Sequence, residues 1–396
     1  MVIHRRAATA AAIVLALTLP AAAGAVAAGP PAAPAARPAA TAPDSRPVPE
    51  LPRPTGPFAV GSSVLHLVDH SRPDPWVATA DGRELMVTMH YPAARPGPGR
   101  PAPYATTEEA RLLVEGTGLG DVPAAELAAL RTHARTDPRP APGRHPLVIL
   151  SPGFTVSRYT LTALAEDLAS RGYVVASVDH AYESYGIEVP GGRLLTCASC
   201  AGVFDGSTPG GKVTAGRARD VSFVLDRLTG RHPAWRYSWS IDPRRVGMAG
   251  HSIGGAAAAA AMLADGRIRA GVDMDGAFHD VLPAGGLGGR PFLMLGTDDE
   301  VHRPGGEDRS WDRTWSALDG WKRWVTFAGS DHFTFTDAPV IAEHFGLPAT
   351  DLTAARSLAL TRAYVGAFFD RQLRGLDRPL LDGPTPGNPE VHFYRP

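Results

Sequence analysis

The stretch VGMAGHSIGGAAAAAAML, residues 246–263, constrains the fold more than any other part of the chain. An apolar, strand-like run ends in Gly-His-Ser-Ile-Gly, and the alanines that follow are typical of a helix. A serine between two glycines at such a junction matches a nucleophile elbow, which is a sharp turn from strand to helix. Side chains on either side of the serine would collide in that turn, so glycine is needed there. The stretch therefore predicts a tight turn with Ser252 at its tip and a helix packed closely on a sheet.

The rest of the chain alternates short apolar runs with stretches of helical periodicity. The run HPLVILSPGF is apolar almost throughout, which is typical of a strand buried on both faces of a parallel sheet. Strands that alternate with helices form a parallel sheet with helices on both faces. The sequence therefore predicts the α/β class with a mostly parallel central sheet. Strands are predicted in SSVLHLVDHSRPDPW, RELMVTMHYPA, HPLVILSPGF, GYVVASVDH, 245–249, IRAGVDMDG, RPFLMLGTDD and KRWVTFAGS, and helices in APYATTEEARLLVEG, PAAELAALRTHAR, 159–171, 213–228, 255–263 and 352–373.

Side chains that can carry chemistry follow the predicted strands directly. Ligand chemistry in a parallel sheet gathers at the carboxyl ends of the strands. The order serine, acid, histidine along the chain is that of α/β-hydrolases. These placements together predict an α/β-hydrolase, whereas a Gly-x-Ser-x-Gly turn alone is too common to do so. The residues that follow successive strands are Ser252, Asp275, Asp298 with Asp299, and His332.

The predicted roles are those of nucleophilic catalysis at a hydroxyl. Ser252 is the expected nucleophile, and His332, in the polar loop after the last strand, is the expected base. The acid must hold the imidazole and stabilise the charge that it acquires. Asp275 is favoured for this role, and Asp298, one strand further along, is the alternative. His251 is expected to point away from the site, because it is the immediate neighbour of the serine in the elbow.

An oxyanion hole needs two backbone N–H groups. One is expected from Ile253, the residue after the nucleophile, and the other from the loop after the strand LVIL. Within that loop Pro152 has no N–H to donate, so Phe154 is the best candidate, with Gly153 giving the loop its freedom. This acyl transfer needs no metal and no organic cofactor.

The N-terminus has the layout of a secretory signal peptide. Residues 1–28 contain two arginines, then a short apolar run and then small residues, which predicts cleavage near Ala28 and a secreted protein. Residues 29–57 are rich in proline and alanine and are predicted to be a disordered tether. Residues 58–396 then form the α/β-hydrolase catalytic domain, a length that suits one domain with insertions.

The net charge limits the classes of partner that the chain is expected to bind. The formal net charge is −1, and no long basic run occurs, so nucleic acid is not an expected partner. The expected partner is a small-molecule or lipid ester.

Cys197 and Cys200 are predicted to form a local disulfide, since the chain is predicted to be secreted, with free or redox-active thiols as the alternative. Residues 183–212, which contain both cysteines, are predicted to form the rim or lid of a pocket, with an ordinary surface loop as the equal alternative.

Four tryptophans lie close together in SWDRTWSALDGWKRW, residues 310–324. Transient contact with a lipid surface would use such exposed aromatics, whereas core packing is their more frequent use. Both uses stay open at this point.

Four stretches resemble the plasma-type platelet-activating factor acetylhydrolase family and its bacterial relatives. They are HPLVILSPGFTVSRYTLTALAEDLASRGYVVASVDH, GMAGHSIGG, GVDMDGAF and GSDHFTF, and the early RPDPW…RELMVTMHYPA is similar to secreted actinobacterial members. The resemblance covers roughly residues 58–375. It implies calcium-independent hydrolysis of short or oxidised acyl esters, including the acetyl group of an ether phospholipid. It also implies an acid after the strand that follows the nucleophile, which favours Asp275 over Asp298.

The chain departs from that family in the oxyanion loop. The animal enzymes carry His-Gly where this chain has Pro152 and Gly153. The Pro-Gly-aromatic pattern is similar to that of actinobacterial lipases and cutinase-like polyester hydrolases, in which the acid lies one strand later, near Asp298. The expected function is therefore a serine esterase acting on short-chain acyl esters of lipids, with a cutinase-like polyester or triglyceride lipase as the alternative.

Overall fold

The computed structural model describes residues 48–94 and 99–395. The predicted signal peptide, 1–28, lies outside these residues, as does residue range 29–47 of the predicted tether. Within the described part of the chain, no helix combines the length and the apolar character needed to cross a membrane.

Ten strands form one sheet, in the order β12-β11-β10-β9-β8-β4-β5-β2-β1-β3. The six strands from β11 to β5 run parallel to their neighbours, and antiparallel pairing occurs between β5 and β2, between β2 and β1, and between β11 and β12. A separate hairpin pairs β6 with β7. The strands are β1 Ala59–Asp69, β2 Arg83–Ala93, β3 Arg135–Thr136, β4 His145–Ser151, β5 Val174–Val178, β6 Ile187–Val189, β7 Arg193–Leu195, β8 Ile241–His251, β9 Ile268–Met274, β10 Phe292–Thr297, β11 Lys322–Phe327 and β12 Val391–Tyr394.

Helices cover both faces of the sheet. Strand β4 shows why: its side chains alternate in direction, so Leu147 and Ile149 join one apolar cluster and Val148 and Leu150 join the other. The first cluster includes α5 and α6, and the second includes α3 and α9. This arrangement confirms the predicted α/β class with a mostly parallel sheet. The helices are α1 Thr107–Thr117, α2 Ala124–Ala128, α3 Thr162–Ser170, α4 Cys200–Phe204, α5 Gly210–Thr229, α6 Ile253–Ala264, α7 Arg309–Ala317, α8 Ala338–Phe345 and α9 Ala354–Arg374.

The end of the predicted tether packs on the catalytic domain. Leu51 is buried in an apolar cluster with residues of α1 and α2. The backbone N–H and the hydroxyl of Thr55 both donate to Oδ1 of Asp167 at 2.8 Å. The boundary predicted at residue 57 is therefore wrong, and residues 48–57 belong to the domain. Proline-rich composition concealed this, because the anchoring depends on a single leucine and on partners distant in sequence, such as Asp167, which is 112 residues from Thr55.

The segment 183–212 is built from short elements. It holds the β6–β7 hairpin and α4, and a disulfide joins Cys197 to Cys200 at the start of that helix. Backbone hydrogen bonds join its first residues to the loop after β4, since the N–H of Thr155 donates to the carbonyl of Glu183 and that of Tyr185 to the carbonyl of Thr155. The segment therefore lies beside the predicted oxyanion loop.

Candidate active site

Ser252 occupies the tip of a strained turn between β8 and α6. Its φ of 56° and ψ of −129° are costly for a residue with a side chain. A Cβ on Gly250 would lie 2.1 Å from the backbone of Gly254, and a Cβ on Gly254 would lie 2.2 Å from the carbonyl oxygen of Ser151. Glycine is therefore required on both sides of the serine, because the start of α6 sits against the ends of β8 and β4.

Asp275 and His332 form a close pair at the carboxyl end of the sheet. Nδ1 of His332 lies 2.6 Å from Oδ2 of Asp275, a geometry in which the imidazole donates to the carboxylate. The other oxygen of Asp275 accepts from the N–H of Thr297. The N–H of Ser252 donates to the carbonyl of Met274, so the serine turn lies against the strand that carries the acid. The structure thus brings the three predicted residues to one edge of the sheet.

The environments of the pair differ between its members. Asp275 is buried, whereas 43% of the His332 side chain is exposed. Burial raises the pKa of Asp275, but the hydrogen bond from His332 and the charges of nearby imidazoles outweigh it, so the net shift is downward. The carboxylate therefore stays ionised while the imidazole is open to a substrate, as a base that shuttles protons requires.

His251 lies directly beneath His332. Its Nε2–H donates to the backbone carbonyl of His332 at 2.7 Å, and the two ring centroids are 4.6 Å apart. Burial, together with the neighbouring imidazole, lowers the pKa of His251 to about 3. The side chain therefore stays neutral and supports the loop that carries His332. The side chain is buried, but it does not point away from the site as predicted, because its ring packs against that of His332.

Asp298, the alternative acid, is engaged elsewhere. Its carboxylate accepts from the guanidinium of Arg303 at 3.0 Å and from the hydroxyl of Tyr394 at 2.8 Å, and Nδ1 of His392 lies 3.0 Å away. Tyr394 and His392 belong to β12, which sequence analysis missed. The contacts of Asp298 join β10, β11 and β12, and the position of the acid beside His332 is filled by Asp275.

A second histidine, His302, also lies close to the carboxylate of Asp275. Nδ1 of His302 lies 3.4 Å from Oδ1 of Asp275 and 3.1 Å from Oδ1 of Asp299. Burial lowers the pKa of His302, but the two carboxylates outweigh it and the net shift is upward. Nothing in the local sequence pattern shows that the loop of His302 folds back onto Asp275.

The two predicted oxyanion residues lie on segments that touch each other. Ile253 is the first residue of α6, so its N–H has no carbonyl one turn earlier to bind. A Cβ on Gly254 would lie 2.6 Å from the carbonyl oxygen of Pro152, which places the start of α6 against the loop that carries Phe154. Both N–H groups therefore belong to backbone beside Ser252.

Aromatic side chains surround this edge of the sheet. The ring of Phe154 packs edge to face on Phe204 of α4, with centroids 5.9 Å apart, and Phe333 packs similarly on His332 at 5.4 Å. Phe204 is 58% and Phe333 47% exposed. The segment predicted to form a rim thus contributes an aromatic side chain beside the oxyanion loop.

The tryptophan-rich stretch serves mainly in the core. Trp311 and Trp324 are fully buried, and the indole N–H of Trp311 donates to the carbonyl of Gly276, one residue after Asp275. The core-packing interpretation therefore holds for these two side chains.

A metal-ligand cluster or a separate cavity is the usual alternative to a site at the elbow. In residues 48–94 and 99–395, no cluster of three or more His, Cys, Asp or Glu side chains is placed to bind a metal ion. A cavity of about 780 Å³ does occur, but it lies among β1, α2 and the segment 48–60 and includes none of the residues at the elbow. We assign the candidate site to the elbow because Ser252, Asp275 and His332 lie together at that edge of the sheet.

A solved structure identifies the class of this protein. The ferulic acid esterase from Streptomyces cinnamoneus is 45% identical in sequence and superposes with a TM-score of 0.80, covering 88% of this chain and 100% of that one. The chain is a carboxylic ester hydrolase with the α/β-hydrolase fold.

Sequence comparison identifies the family. The profile described as platelet-activating factor acetylhydrolase, isoform II, matches residues 119–188. A protein of Arthroderma benhamiae described as a probable 1-alkyl-2-acetylglycerophosphocholine esterase is 30% identical over 387 residues, which cover 87% of this chain and 93% of the relative. The chain belongs to the platelet-activating factor acetylhydrolase family, and the resemblance noted in the sequence is confirmed.

Proposed function

We propose that this protein is a secreted serine esterase that hydrolyses short-chain acyl esters of lipids through an acyl-enzyme. The observation that carries the proposal is the 2.6 Å contact between His332 and Asp275 at the strand end against which Ser252 is bound. Secretion rests on the predicted signal peptide. N-terminal sequencing of protein recovered from the culture medium tests it, with Gly29 as the expected first residue and Met1 as the contrary result.

The proposed reaction has two half-reactions. The hydroxyl of Ser252 attacks the acyl carbon as His332 takes its proton, and Asp275 stabilises the imidazolium that results. The N–H groups of Phe154 and Ile253 donate to the oxyanion of the tetrahedral intermediate. The protonated His332 then donates to the departing alcohol. In the second half-reaction, His332 activates a water that attacks the acyl-serine, and the acid product leaves.

A short acyl group attached to a lipid alcohol is the favoured substrate, because the Arthroderma benhamiae relative bears the name of an acetylglycerophosphocholine esterase. The cutinase-like arrangement is less well supported, since the carboxylate of Asp298 is bonded to Arg303 and Tyr394. Exposed Phe204 and Phe333 offer an apolar rim that a lipid chain can contact.

A second candidate substrate is an aromatic acyl ester such as a ferulate. The solved structure that covers 88% of this chain is a ferulic acid esterase, and Phe154 and Phe204 present an aromatic pair beside the oxyanion loop. Aromatic rings stack favourably on such pairs, with about 0.5–1.5 kcal/mol beyond the area that they bury.

Side-by-side kinetics distinguish the candidates. The purified enzyme is assayed on an acetylated ether phospholipid, methyl ferulate, p-nitrophenyl acetate and a polyester film, with Ser252→Ala as the matched blank. The proposal predicts the highest kcat/KM on the phospholipid. Preference for methyl ferulate, reduced selectively by Phe204→Ala, would support the second candidate, and preference for the film would overturn both.

A further inference from the structure

A buried arginine lies beneath the oxyanion loop. Arg217 of α5 is 1% exposed, and Nη1 of its guanidinium donates to the carbonyl oxygen of Pro152 at 2.5 Å and to the hydroxyl of Ser151 at 3.2 Å. Nη2 lies 3.5 Å from the carbonyl oxygen of Gly153. One side chain thus contacts three consecutive residues between the end of β4 and Phe154.

The contacts of Arg217 determine which way the loop N–H groups point. In a planar trans peptide the C=O and the N–H of the same unit point in opposite directions. The carbonyl of Gly153 and the N–H of Phe154 share one unit, and the carbonyl of Pro152 and the N–H of Gly153 share the preceding one. Because both carbonyls are directed at the guanidinium, both N–H groups are directed away from it.

A network of buried charges fixes Arg217 itself. Its Nε donates to Glu183, whose other oxygen accepts from Arg83. Arg83 also donates to Asp220, which lies one helical turn from Arg217 on α5. The charges of Arg217 and Arg83 outweigh the effect of burial and hold the pKa of Glu183 below its usual value, so the carboxylate stays ionised. The guanidinium therefore has little freedom to turn away from the loop.

A third hydrogen-bonded group supports the same strand end. Nδ1 of His180 lies 2.7 Å from Oδ2 of Asp220, so the carboxylate accepts and Nε2 is left to accept from the hydroxyl of Ser151, 3.0 Å away. That hydroxyl can then accept from Arg217 while it donates to His180. The donors and acceptors match, and the end of β4 is held from two directions.

We propose that Arg217 is a positioning residue that orients the N–H of Phe154 toward the oxyanion by binding the carbonyls of Pro152 and Gly153. The role rests on the proposed oxyanion hole. Arg217 touches no reacting atom, and its effect is confined to the step in which negative charge develops on the carbonyl oxygen. A lysine has one ammonium in place of the forked guanidinium, so it cannot bind both carbonyls and Glu183 in the same geometry.

The test compares Arg217→Lys with a matched control, Arg362→Lys. Arg362 is also buried and also donates to backbone carbonyls, those of Ala163, Arg53 and Pro52, but it lies on α9 away from the elbow. For Arg217→Lys we expect kcat to fall by about 10–100-fold, less than the loss of a whole oxyanion donor, with KM changed by less than about threefold. Affinity for a trifluoromethyl ketone, which forms a tetrahedral adduct with serine, should fall by a similar factor. Arg362→Lys should change neither quantity, although both variants lose thermal stability.

Three results would overturn the inference: an unchanged kcat in Arg217→Lys, an equal loss of kcat in Arg362→Lys, or unchanged affinity for the ketone. If Arg217→Lys does not fold, Glu183→Gln keeps an acceptor for Arg217 and weakens its hold. For Glu183→Gln we then expect kcat and the affinity for the ketone each to fall several-fold, and the absence of these losses overturns the inference.

Ser252→Ala in the same assay separates this inference from the proposed function. An active Ser252→Ala enzyme would show that the proposed nucleophile is wrong, and the role of Arg217 would be withdrawn with it. An inactive Ser252→Ala enzyme beside an unimpaired Arg217→Lys enzyme would reject the positioning role alone.

Discussion

Two aspartate–histidine pairs in this protein have nearly the same geometry. In one, Nδ1 of His332 lies 2.6 Å from Asp275, and in the other, Nδ1 of His180 lies 2.7 Å from Asp220. The second pair even has a serine, Ser151, 3.0 Å from Nε2 of His180. Distances alone would therefore assign two catalytic sites to this chain.

Burial and backbone geometry separate the two pairs. The side chain of His332 is 43% exposed, whereas that of His180 is 1% exposed. Burial and the charge of Arg217 lower the pKa of His180, which keeps its imidazole neutral. Ser151 ends a regular strand and is fully buried, whereas Ser252 is held in a strained turn. The buried pair, His180 and Asp220, can only hold backbone in place. The exposed pair, His332 and Asp275, can take part in chemistry because substrate can reach it.

Replacing the two histidines tests this contrast with the largest expected effect. His332→Ala should lower kcat by about a million-fold, because the serine loses its base. His180→Gln should lower kcat by no more than about tenfold, since it disturbs only the support of the oxyanion loop. Steady-state kinetics on p-nitrophenyl acetate measure both. Similar losses in the two variants would mean that the enclosed pair takes part in the chemistry.

The next largest change in kcat is expected from the variants that test whether Asp275 or Asp298 is the acid. Asp275→Asn should lower kcat by about 10⁴-fold, because an amide cannot stabilise the imidazolium or fix its tautomer. Asp298→Asn should change kcat by less than about twofold, since its bonds lie among β10, β11 and β12. The opposite ranking would establish the cutinase-like arrangement.

The free energy of unfolding should depend more on the buried pair than on the exposed pair, which is the opposite of the order expected for kcat. Asp220→Asn should lower the free energy of unfolding by about 3–5 kcal/mol, because it leaves the buried Arg83 without one of its carboxylates. Asp275→Asn should cost less, since its main partner is half exposed. Urea unfolding followed by circular dichroism gives both values. A larger loss for Asp275→Asn would contradict the structural role of the buried pair.

A smaller effect concerns His251, which lies between the elbow and His332. Its folded-state pKa of about 3 is below the usual value, so on acidification the unfolded chain binds a proton that the folded chain does not. Stability from this residue is therefore present above pH 6.5 and declines as pH falls. The loss between pH 7 and pH 5 should be about 2 kcal/mol greater in the wild type than in His251→Gln, which cannot titrate. Equal losses in urea unfolding at the two pH values would contradict the burial argument.

The edge of the sheet that holds Ser252, Asp275 and His332 could be predicted from the sequence, because local pattern determines it. The elbow needs a glycine two positions before the serine and another two positions after it, and parallel strands bring their carboxyl ends to one edge whatever lies between them. Ser252, Asp275 and His332 could therefore be named as a set. Strand β2 also covers the predicted residues 83–93, because apolar and polar residues alternate there closely enough to predict a strand.

The network of buried charges around Arg83 and Arg217 could not be predicted from local sequence pattern. Arg83 and Arg217 are charged residues that composition assigns to the surface, yet both are buried by partners up to 137 residues away. Strand β12 has four residues and pairs with only one neighbour, so its pattern is too short to stand out. Only the folded chain shows that α5 runs under the oxyanion loop.

Labelling with a fluorophosphonate, followed by peptide mapping, tests the central claim most directly. The folded enzyme should take up one label per chain, on Ser252, and His332→Ala should take up almost none. Ser151, beside its own histidine and aspartate, should remain unlabelled. A label on Ser151, or uptake that survives in Ser252→Ala, would contradict the account.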